Sequence, residues 1–182
     1  MKNILYILLF LSFNLNAEGF DDSGYFQIDA GYYNIESGGL TVSPFLVTGT
    51  VGANFNKNFA GEFFIGGTVF SDSYTATQFN SFYIQTNIVD VRLDNIYGFN
   101  FKPKLEISPD VNLFLKGGYI YGTLSESTFG FNAWQSNSGI TYGAGIQGKL
   151  GDDSYIGLDY NNYYNKNGYS IYGARLFIGK FF

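Results

Sequence analysis

Hydrophobic and polar residues alternate with a period of two along most of this chain. In the first such segment, Phe26, Ile28 and Tyr32 fall on one face, and Gln27 and Asp29 fall on the other. This period is that of a β-strand whose two faces meet different surroundings. After the N-terminal segment, the sequence shows neither a long stripe with the helical period nor an apolar run long enough for a membrane helix. The pattern therefore predicts an all-β protein.

The alternation recurs in eight segments that are separated by turn-forming residues. The predicted strands span residues 24–33, 45–55, 59–70, 95–107, 111–122, 140–150, 154–161 and 169–182. Val89, Val91 and Leu93 continue the phase of the fourth strand upstream, so the start of that strand is left open. Eight strands are enough to close a small barrel.

Short and long connections alternate along the chain. The short connections, at 56–58, 108–110 and 151–153, are built from Asn, Pro, Asp and Gly, which favour tight turns. The long connections lie near 34–43, 71–92, 123–138 and 162–168 and are rich in Ser, Asn, Thr and Tyr. Short turns on one side and long loops on the other are typical of transmembrane barrels of the bacterial outer membrane, whose long loops face the cell exterior.

The composition of the polar face separates a membrane barrel from a soluble one. Charged residues make up 14% of the chain and aromatic residues 20%, whereas an ordinary domain is roughly a quarter charged. The polar face carries mainly Gly, Thr, Asn and Gln, which suits a narrow lumen better than contact with bulk water. The prediction is an eight-stranded antiparallel up-and-down transmembrane β-barrel with its apolar face toward lipid. A soluble ligand-binding barrel is the alternative.

Nine charged residues of the polar face fall near the short-turn end of the predicted barrel. They are Asp29, Glu62, Lys102, Lys104, Glu106, Lys116, Lys149, Asp159 and Arg175. Isolated buried charges are costly, so we expect these groups to pair across the lumen as a salt-bridged plug. Asp29 and Arg175 in particular should lie close together, because the first and last strands meet when the sheet closes. The alternative is that they are exposed charges on a soluble sheet.

The N-terminal segment has the layout of a secretory signal peptide. Lys2 precedes the apolar run 4–13, and small residues near Ala17 resemble a cleavage site. We therefore assign residues 1–17 to a signal peptide and residues 18–182 to the barrel domain, with an uncleaved anchor as the alternative. The chain has no Cys for disulfides, and its net charge of −5 argues against nucleic acid as a partner.

In order along the chain, several motifs resemble those of the OmpA/OmpX-like family of small outer-membrane β-barrels. They are FAGEFFIGG (59–67), KPKLEISPDVNLFLKGGYIYG (102–122), YGAGIQGKLGDDSYIGLDY (142–160) and ARLFIGKFF (174–182). The resemblance covers essentially the whole mature chain and implies a Gram-negative outer membrane with its lipid and lipopolysaccharide as surroundings. The peptidoglycan-binding domain of full OmpA proteins is expected to be absent.

The C-terminal motif also resembles the signal that the outer-membrane insertion machinery reads. The residues that carry this resemblance are Ala174, Leu176, Ile178 and Phe182, whereas Lys180 stands where an aromatic or aliphatic residue is more usual. The resemblance therefore implies the insertion machinery as a partner during assembly.

The chain contains no His and no Cys. The enzymes among outer-membrane barrels depend on an active-site His, and a Ser nucleophile or a zinc site would lack its usual partners here. We therefore predict no enzyme activity, no cofactor and no metal site. The residues 143–148 fit G-x-G-x-x-G, but a Gly-Asp-Asp turn follows where a dinucleotide site needs a helix.

The long connections are the predicted contact surface. Phe129, Phe131 and Trp134 form either a patch for a host or cell-surface ligand or part of an aromatic girdle, and Asp90, Arg92 and Asp94 are read as solvated rim charges. Acidic residues prevail in these connections, which fits cation-bridged contact with lipopolysaccharide. The leading hypothesis is a structural and surface-interaction protein with a closed polar lumen. The alternative is a narrow porin-like or small apolar-ligand channel of the OmpW kind.

Overall fold

The computed structural model describes residues 24–80, 83–128, 131–166 and 169–182. The predicted signal peptide and Phe129 lie outside these residues. Within the described part of the chain, no helix has the length and apolar character needed to cross a membrane.

Ten β-strands make up the described residues. They are β1 (Gly24–Ser37), β2 (Leu40–Val42), β3 (Phe45–Asn56), β4 (Phe59–Phe70), β5 (Asp72–Asn80), β6 (Tyr83–Ser108), β7 (Val111–Thr128), β8 (Phe131–Lys149), β9 (Ser154–Lys166) and β10 (Tyr169–Phe181). Eight of them form an antiparallel ring in the order β1-β3-β4-β6-β7-β8-β9-β10, which pairing of β10 with β1 closes. The predicted eight-stranded up-and-down barrel is confirmed, while β2 and β5 add to it outside the ring.

The two faces of the ring strands differ as the alternation predicts. On β1, Phe26 and Ile28 are each 45% exposed, whereas the alternating residues Gln27 and Asp29 are fully buried. The same contrast recurs around the ring, with Phe99 on β6 60% exposed and Asn100 buried. The exposed apolar residues form the lipid-facing surface of the barrel, because lipid is the surroundings in which such a surface is stable.

Most of the segments predicted to be long loops are strands instead. β7 runs to Thr128 and β8 starts at Phe131, so the segment 123–138 is largely a β-hairpin, and the segment 71–92 is filled by β5 and the first part of β6. Alternation of apolar and polar residues does not reveal these strands. Backbone pairing continues here beyond the ring, where both faces of a strand can meet water and both can carry polar side chains. Together β5, β6, β7 and β8 form a four-stranded sheet beyond the ring, on the side opposite the short turns. We call it the extracellular sheet, because that side of an outer-membrane barrel is expected to face the cell exterior.

A bulge at Asn95 separates the extracellular part of β6 from its ring part. Asn95 has a positive φ of 40°, and the pairing of β6 with β7 shifts register between Asp94 and Tyr97. Val91 and Leu93 are therefore buried inside, although Tyr97, which shares their odd-numbered phase, faces outward. The expectation that Val89, Val91 and Leu93 continue the phase of the fourth strand is wrong for this reason.

Candidate functional site

Six charged side chains meet inside the lumen in the half near the short turns. We call them the charge cluster: Asp29, Glu62, Lys102, Lys116, Asp159 and Arg175. Each belongs to a different ring strand, in turn β1, β4, β6, β7, β9 and β10, and each is at most 4% exposed. Because they sit at inward positions of strands on all sides of the ring, their side chains converge on its axis.

Glu62 and Asp159 are joined through the ammonium group of Lys116. Lys116 Nζ lies 3.0 Å from Glu62 Oε2 and 3.1 Å from Asp159 Oδ2. The other oxygen of Glu62 lies 3.0 Å from Lys102 Nζ. Glu62 therefore faces two ammonium groups, and Asp159 faces Lys116 and Arg175.

Arg175 extends the charge cluster to the seam where the barrel closes. Its Nε and Nη2 donate to the two oxygens of Asp159 at 2.8 and 2.6 Å. Its Nη1 lies 3.5 Å from Asp29 Oδ1, across the β1–β10 pairing in which Arg175 stands opposite Gly31. The fork geometry of a guanidinium suits such two-sided contact with carboxylates.

Asp29 and Glu62 also accept hydrogen bonds from neutral polar groups. Thr48 and Thr50 donate to Asp29 Oδ2 at 3.1 and 2.9 Å, and Gln27 donates to Asp29 Oδ1. The Tyr25 hydroxyl donates to Glu62 Oε1 at 2.8 Å. These hydrogen bonds lower the cost of burying Asp29 and Glu62, since an ion without partners in the lumen would lose its hydration without replacement.

An aromatic layer lies beside the charge cluster in the same half of the lumen. Its members are Tyr25, Phe114, Tyr155, Phe177 and Phe181. Lys102 Nζ lies 4.3 Å from the ring centroid of Phe114 and within 6 Å of two other rings, which is cation–π distance. Gly179 leaves the space that the Tyr155 ring occupies, because a Cβ at that position would overlap the ring. Sequence reasoning missed this layer, although Phe114 and Phe177 share the phase of Lys116 and Arg175.

The other half of the lumen is apolar, which corrects the expectation of a polar lumen throughout. The buried residues there include Tyr33, Leu46, Phe64, Ile120 and Tyr163. The sequence signal for them is weak, since several have Gly or Thr as an inward neighbour on the same strand: Tyr33 follows Gly31, Leu46 precedes Thr48, and Ile120 lies between Gly118 and Gly122. This apolar cluster forms where the ring extends toward the extracellular sheet.

Three of the nine predicted lumen charges lie outside the charge cluster. Glu106 and Lys149 are exposed, because they sit beside the short turns where the lumen ends and side chains reach water. Lys104 is half-buried, and its Nζ donates to Asn54 Oδ1 at 2.7 Å instead of pairing with an acid of the cluster. The expectation of membership in a buried plug is wrong for Glu106 and Lys149.

The predicted insertion-signal residues Ala174, Leu176, Ile178 and Phe182 all face outward near the barrel seam, and Phe182 is 76% exposed. Lys180 shares this face, and its Nζ lies 2.9 Å from Asp153 Oδ2 in the β8–β9 turn. The hydrogen bond from Lys180 holds the pKa of the Asp153 carboxyl below its usual value.

Of the three residues in the predicted aromatic patch, only Trp134 has a described side chain. Trp134 is 69% exposed on β8 and stands opposite Ser125 of β7, while Phe131 begins the same strand. Exposed tyrosines instead mark the ring strands at the same end of the barrel: Tyr32, Tyr97, Tyr121, Tyr142 and Tyr160. Tyrosine at that depth is typical of the interfacial girdle of membrane barrels.

The other motifs considered in the sequence do not form a binding or catalytic site among the described residues. Asp90 and Arg92 are exposed, and Asp94 accepts a hydrogen bond from Ser125. The described residues contain no group of three or more potential metal ligands. The G-x-G-x-x-G residues 143–148 lie within β8, where a Cβ added at Gly143 or Gly145 would overlap atoms of the neighbouring strand β9.

The sequence profile of one family, described as "Outer membrane protein beta-barrel domain", matches residues 4–176. Comparison with curated protein sequences gives no match.

Solved outer-membrane barrels share the fold at low sequence identity. The attachment invasion locus protein Ail of Yersinia pestis, in complex with the heparin analogue sucrose octasulfate, is 16% identical, with a TM-score of 0.61 over 89% of this chain and 99% of that one. Neisserial surface protein A (NspA) is also 16% identical, with a TM-score of 0.63 over 87% and 97%. The N-terminal barrel domain of Pseudomonas aeruginosa OprF is 11% identical, with a TM-score of 0.58 over 86% and 97%.

Proposed function

Because the chain belongs to the family of outer membrane proteins with a β-barrel domain, and is thus a protein of the outer membrane, we propose that it has a structural and surface-interaction role. In this proposal the lumen is closed to solutes, the ring stabilises the protein in lipid, and the extracellular sheet is the surface that meets partners. The protein acts without catalysis.

The observation that carries this proposal is the charge cluster lying across the lumen. The chain of contacts from Lys102 through Glu62, Lys116 and Asp159 to Arg175 joins strands on several sides of the ring. A hydrated ion crossing the barrel would have to separate several of these buried pairs at once, and breaking one buried pair costs about 3–5 kcal/mol. The aromatic layer and the apolar cluster add further barriers on the same path.

Single-channel recording tests the closed lumen. We expect the purified protein in planar bilayers to leave the baseline current unchanged in KCl, while a general porin in the same bilayers gives conductance steps. The folded state of the protein is checked by the change in its gel mobility on boiling (heat-modifiable migration). Regular conductance steps from such folded protein would contradict the proposal of a closed lumen and favour the narrow-channel alternative. That alternative requires an open path through the charge cluster.

The surface role is supported by the extracellular sheet and its charge. Its exposed residues include Ile84, Ile88 and Trp134. The strands and connections beyond the ring contain Glu36, Asp72, Asp90, Asp94 and Glu126 against Arg92 and Lys166. Such a surface repels anionic polymers at close range, so we expect this chain to differ from Ail in its response to heparin-like sugars.

The partner that best fits an acidic surface beside the membrane is lipopolysaccharide held through divalent cations. We expect the folded protein to bind lipopolysaccharide micelles in the presence of Mg²⁺ and to release them when EDTA is added, whereas sucrose octasulfate should not bind. Binding of sucrose octasulfate with equal strength in the presence and absence of Mg²⁺ would contradict this choice of partner.

A further inference from the structure

The barrel wall opens between β4 and β6 at the extracellular end of the ring. β4 pairs with β6 only as far as Gly66 and Ile96, and pairing with β6 resumes where β5 begins. Residues 67–71 and 92–95 lie between these two ladders, and within the described chain no backbone ladder joins them to each other. We call this opening the notch.

A bulge on each side widens the notch. In the pairing of β3 with β4 the register shifts, so that Val69 is an extra residue on β4, and Asn95 is the bulged residue on β6. Both residues line the notch. The amide of Leu93 donates across it to Thr68 Oγ1 at 2.8 Å, so a side chain stands here in place of the backbone ladder. Bulges often lie beside functional sites, where they redirect side chains.

The notch lies at the depth of lipid headgroups. Tyr97, two residues from Asn95, belongs to the exposed tyrosines at this end of the barrel, and its ring centroid is 5.1 Å from that of Tyr121. On β4, Ile65 is exposed on the lipid-facing side just below the notch. Aromatic girdles mark the level where hydrocarbon gives way to headgroups. A depression immediately beyond the girdle therefore meets the headgroups of the outer leaflet.

The lining of the notch is largely polar, in contrast to the apolar wall beside it. The notch is an open depression of about 510 Å³, within the range of about 300–1,000 Å³ that is usual for small-molecule sites. Its lining includes Thr68, Asp94, Asn95, Val69 and the glycines at positions 66 and 67. Backbone groups without a ladder are costly beside lipid, so a polar occupant stabilises the notch.

Two opposite charges stand on the outward face of β6 at the notch. Asp94 lines the notch, and Arg92 is exposed two residues farther from the girdle, about 7 Å along the strand. A phosphorylated amino sugar fits this order, because its amide and hydroxyl groups donate to a carboxylate while its phosphate pairs with a guanidinium. In a glycerophospholipid the phosphate lies next to the acyl chains, so Asp94 would meet and repel it first.

We propose that the notch binds the phosphorylated sugar headgroup of one lipopolysaccharide molecule in the outer leaflet. The sugar lies against Asp94 and Asn95, its phosphate meets Arg92, and the start of an acyl chain lies against Val69. This inference rests on the proposed function, which takes lipopolysaccharide as the partner, and it assigns one site to that partner.

The emission of Trp134, the single tryptophan of the chain, provides the readout. Trp134 stands opposite Ser125, and Ser125 stands opposite Arg92, so two strand spacings of about 10 Å separate Trp134 from Arg92 on one face. Hexa-acylated lipid A is titrated against the folded protein in polyoxyethylene detergent micelles with Mg²⁺. We expect a saturable change in emission, and a much weaker response to phosphatidylglycerol in the same micelles.

Two glycine variants test the place of binding. A Cβ added at Gly67 would lie 3.4 Å from the carbonyl oxygen of Leu93, so Gly67→Leu fills the notch without overlap at its base. We expect it to weaken lipid A binding about tenfold, which corresponds to ~1.4 kcal/mol. Gly49 of β3 has the same outward phase, and a Cβ added there meets no atom of the described residues within 4 Å. Gly49→Leu should leave binding unchanged.

Two charge variants test the contact with phosphate. Arg92→Gln should weaken binding of lipid A about tenfold and leave binding of dephosphorylated lipid A unchanged. Lys180→Gln removes a positive charge from an exposed side chain at the opposite end of the barrel and should not alter either affinity.

Heat-modifiable migration shows that each variant is folded. A response that does not saturate, a response to phosphatidylglycerol of equal strength, or equal affinities of the unaltered protein and Gly67→Leu would overturn the notch as the site. If lipopolysaccharide micelles still bind in Mg²⁺ in that case, the proposed partner stands and only the site is lost. If the micelles do not bind, the proposed partner and this site are both wrong.

Discussion

Arg175 Nη1 lies 3.5 Å from Asp29 Oδ1, inside the lumen and across the seam between the first and last strands of the ring. The two residues come from opposite ends of the described chain, so this contact exists only when the barrel is closed. Arg175 also holds Asp159 of the neighbouring strand β9 with two hydrogen bonds. One guanidinium thus links three consecutive strands of the ring at its point of closure.

Replacing Arg175 should destabilise the barrel strongly. In Arg175→Leu, Asp29 and Asp159 remain buried without the guanidinium, and an uncompensated buried charge costs about 3–5 kcal/mol. We expect the free energy of unfolding in urea, measured by tryptophan fluorescence in lipid vesicles, to fall by an amount of this order.

The matched control is Lys180→Leu. Lys180 lies on the same strand and also pairs with an acid, Asp153, but both side chains are more than half exposed. Exposed ion pairs contribute little because water screens them. Unfolding free energies that fall equally in the two variants would contradict the role assigned to the buried position of Arg175.

The contact between Lys102 and Glu62 can be isolated by a double-mutant cycle. Lys102→Met and Glu62→Gln each remove one side of a pair whose atoms lie 3.0 Å apart in the buried lumen. We expect the double variant to be less destabilised than the sum of the two single variants, by about 0.5–3 kcal/mol. In Glu62→Gln the ammonium group of Lys102 has already lost its acid partner, so the further change Lys102→Met removes a buried charge without one. Additive effects within ~0.3 kcal/mol would show that the two residues act independently.

The ring strands and the orientation of their faces could be predicted because lipid and lumen impose opposite demands on alternate residues. Phe26 and Asp29 need no tertiary information to be placed on opposite faces, since the pleat of the strand separates them. The same argument placed Lys102, Lys116 and Arg175 inside. Which inward charges remain buried could not be read from the pattern, because the distance of Glu106 and Lys149 from the lumen end depends on where each strand stops.

Other features depend on contacts that alternation does not encode. Phe114 and Tyr155 stand in the inward phase, but a lone aromatic residue there looks like an exception until Gly157 and Gly179 are seen to leave room for neighbouring rings. The phase reversal in β6 arises from the backbone of Asn95. An Asn between two regular alternations does not by itself identify a bulge, since Asn54 and Asn100 stand on the inward faces of regular strands in this chain.

Asn95 provides a test of the bulge. Its φ of 40° lies in the left-handed region, which Asn and Gly tolerate and β-branched residues do not. Asn95→Val should lower the unfolding free energy by about 1–3 kcal/mol, whereas Asn95→Gly should leave it nearly unchanged. Equal destabilisation by both substitutions would show that the Asn side chain, and not the backbone conformation, is what the position requires.

The C-terminal residue provides a test of assembly rather than of stability. Phe182 is 76% exposed on the lipid-facing side, so its loss removes little packing, yet the resemblance of residues 174–182 to an insertion signal assigns it a role during assembly. We therefore expect Phe182→Ala to reduce severalfold the heat-modifiable form in isolated outer membranes while refolding normally in detergent. Phe55→Ala, on another lipid-facing position that is 47% exposed, is the control and should assemble like the unaltered protein. Equal loss of assembly in both variants would show that lipid contact in general, and not recognition of the C-terminal strand, limits insertion.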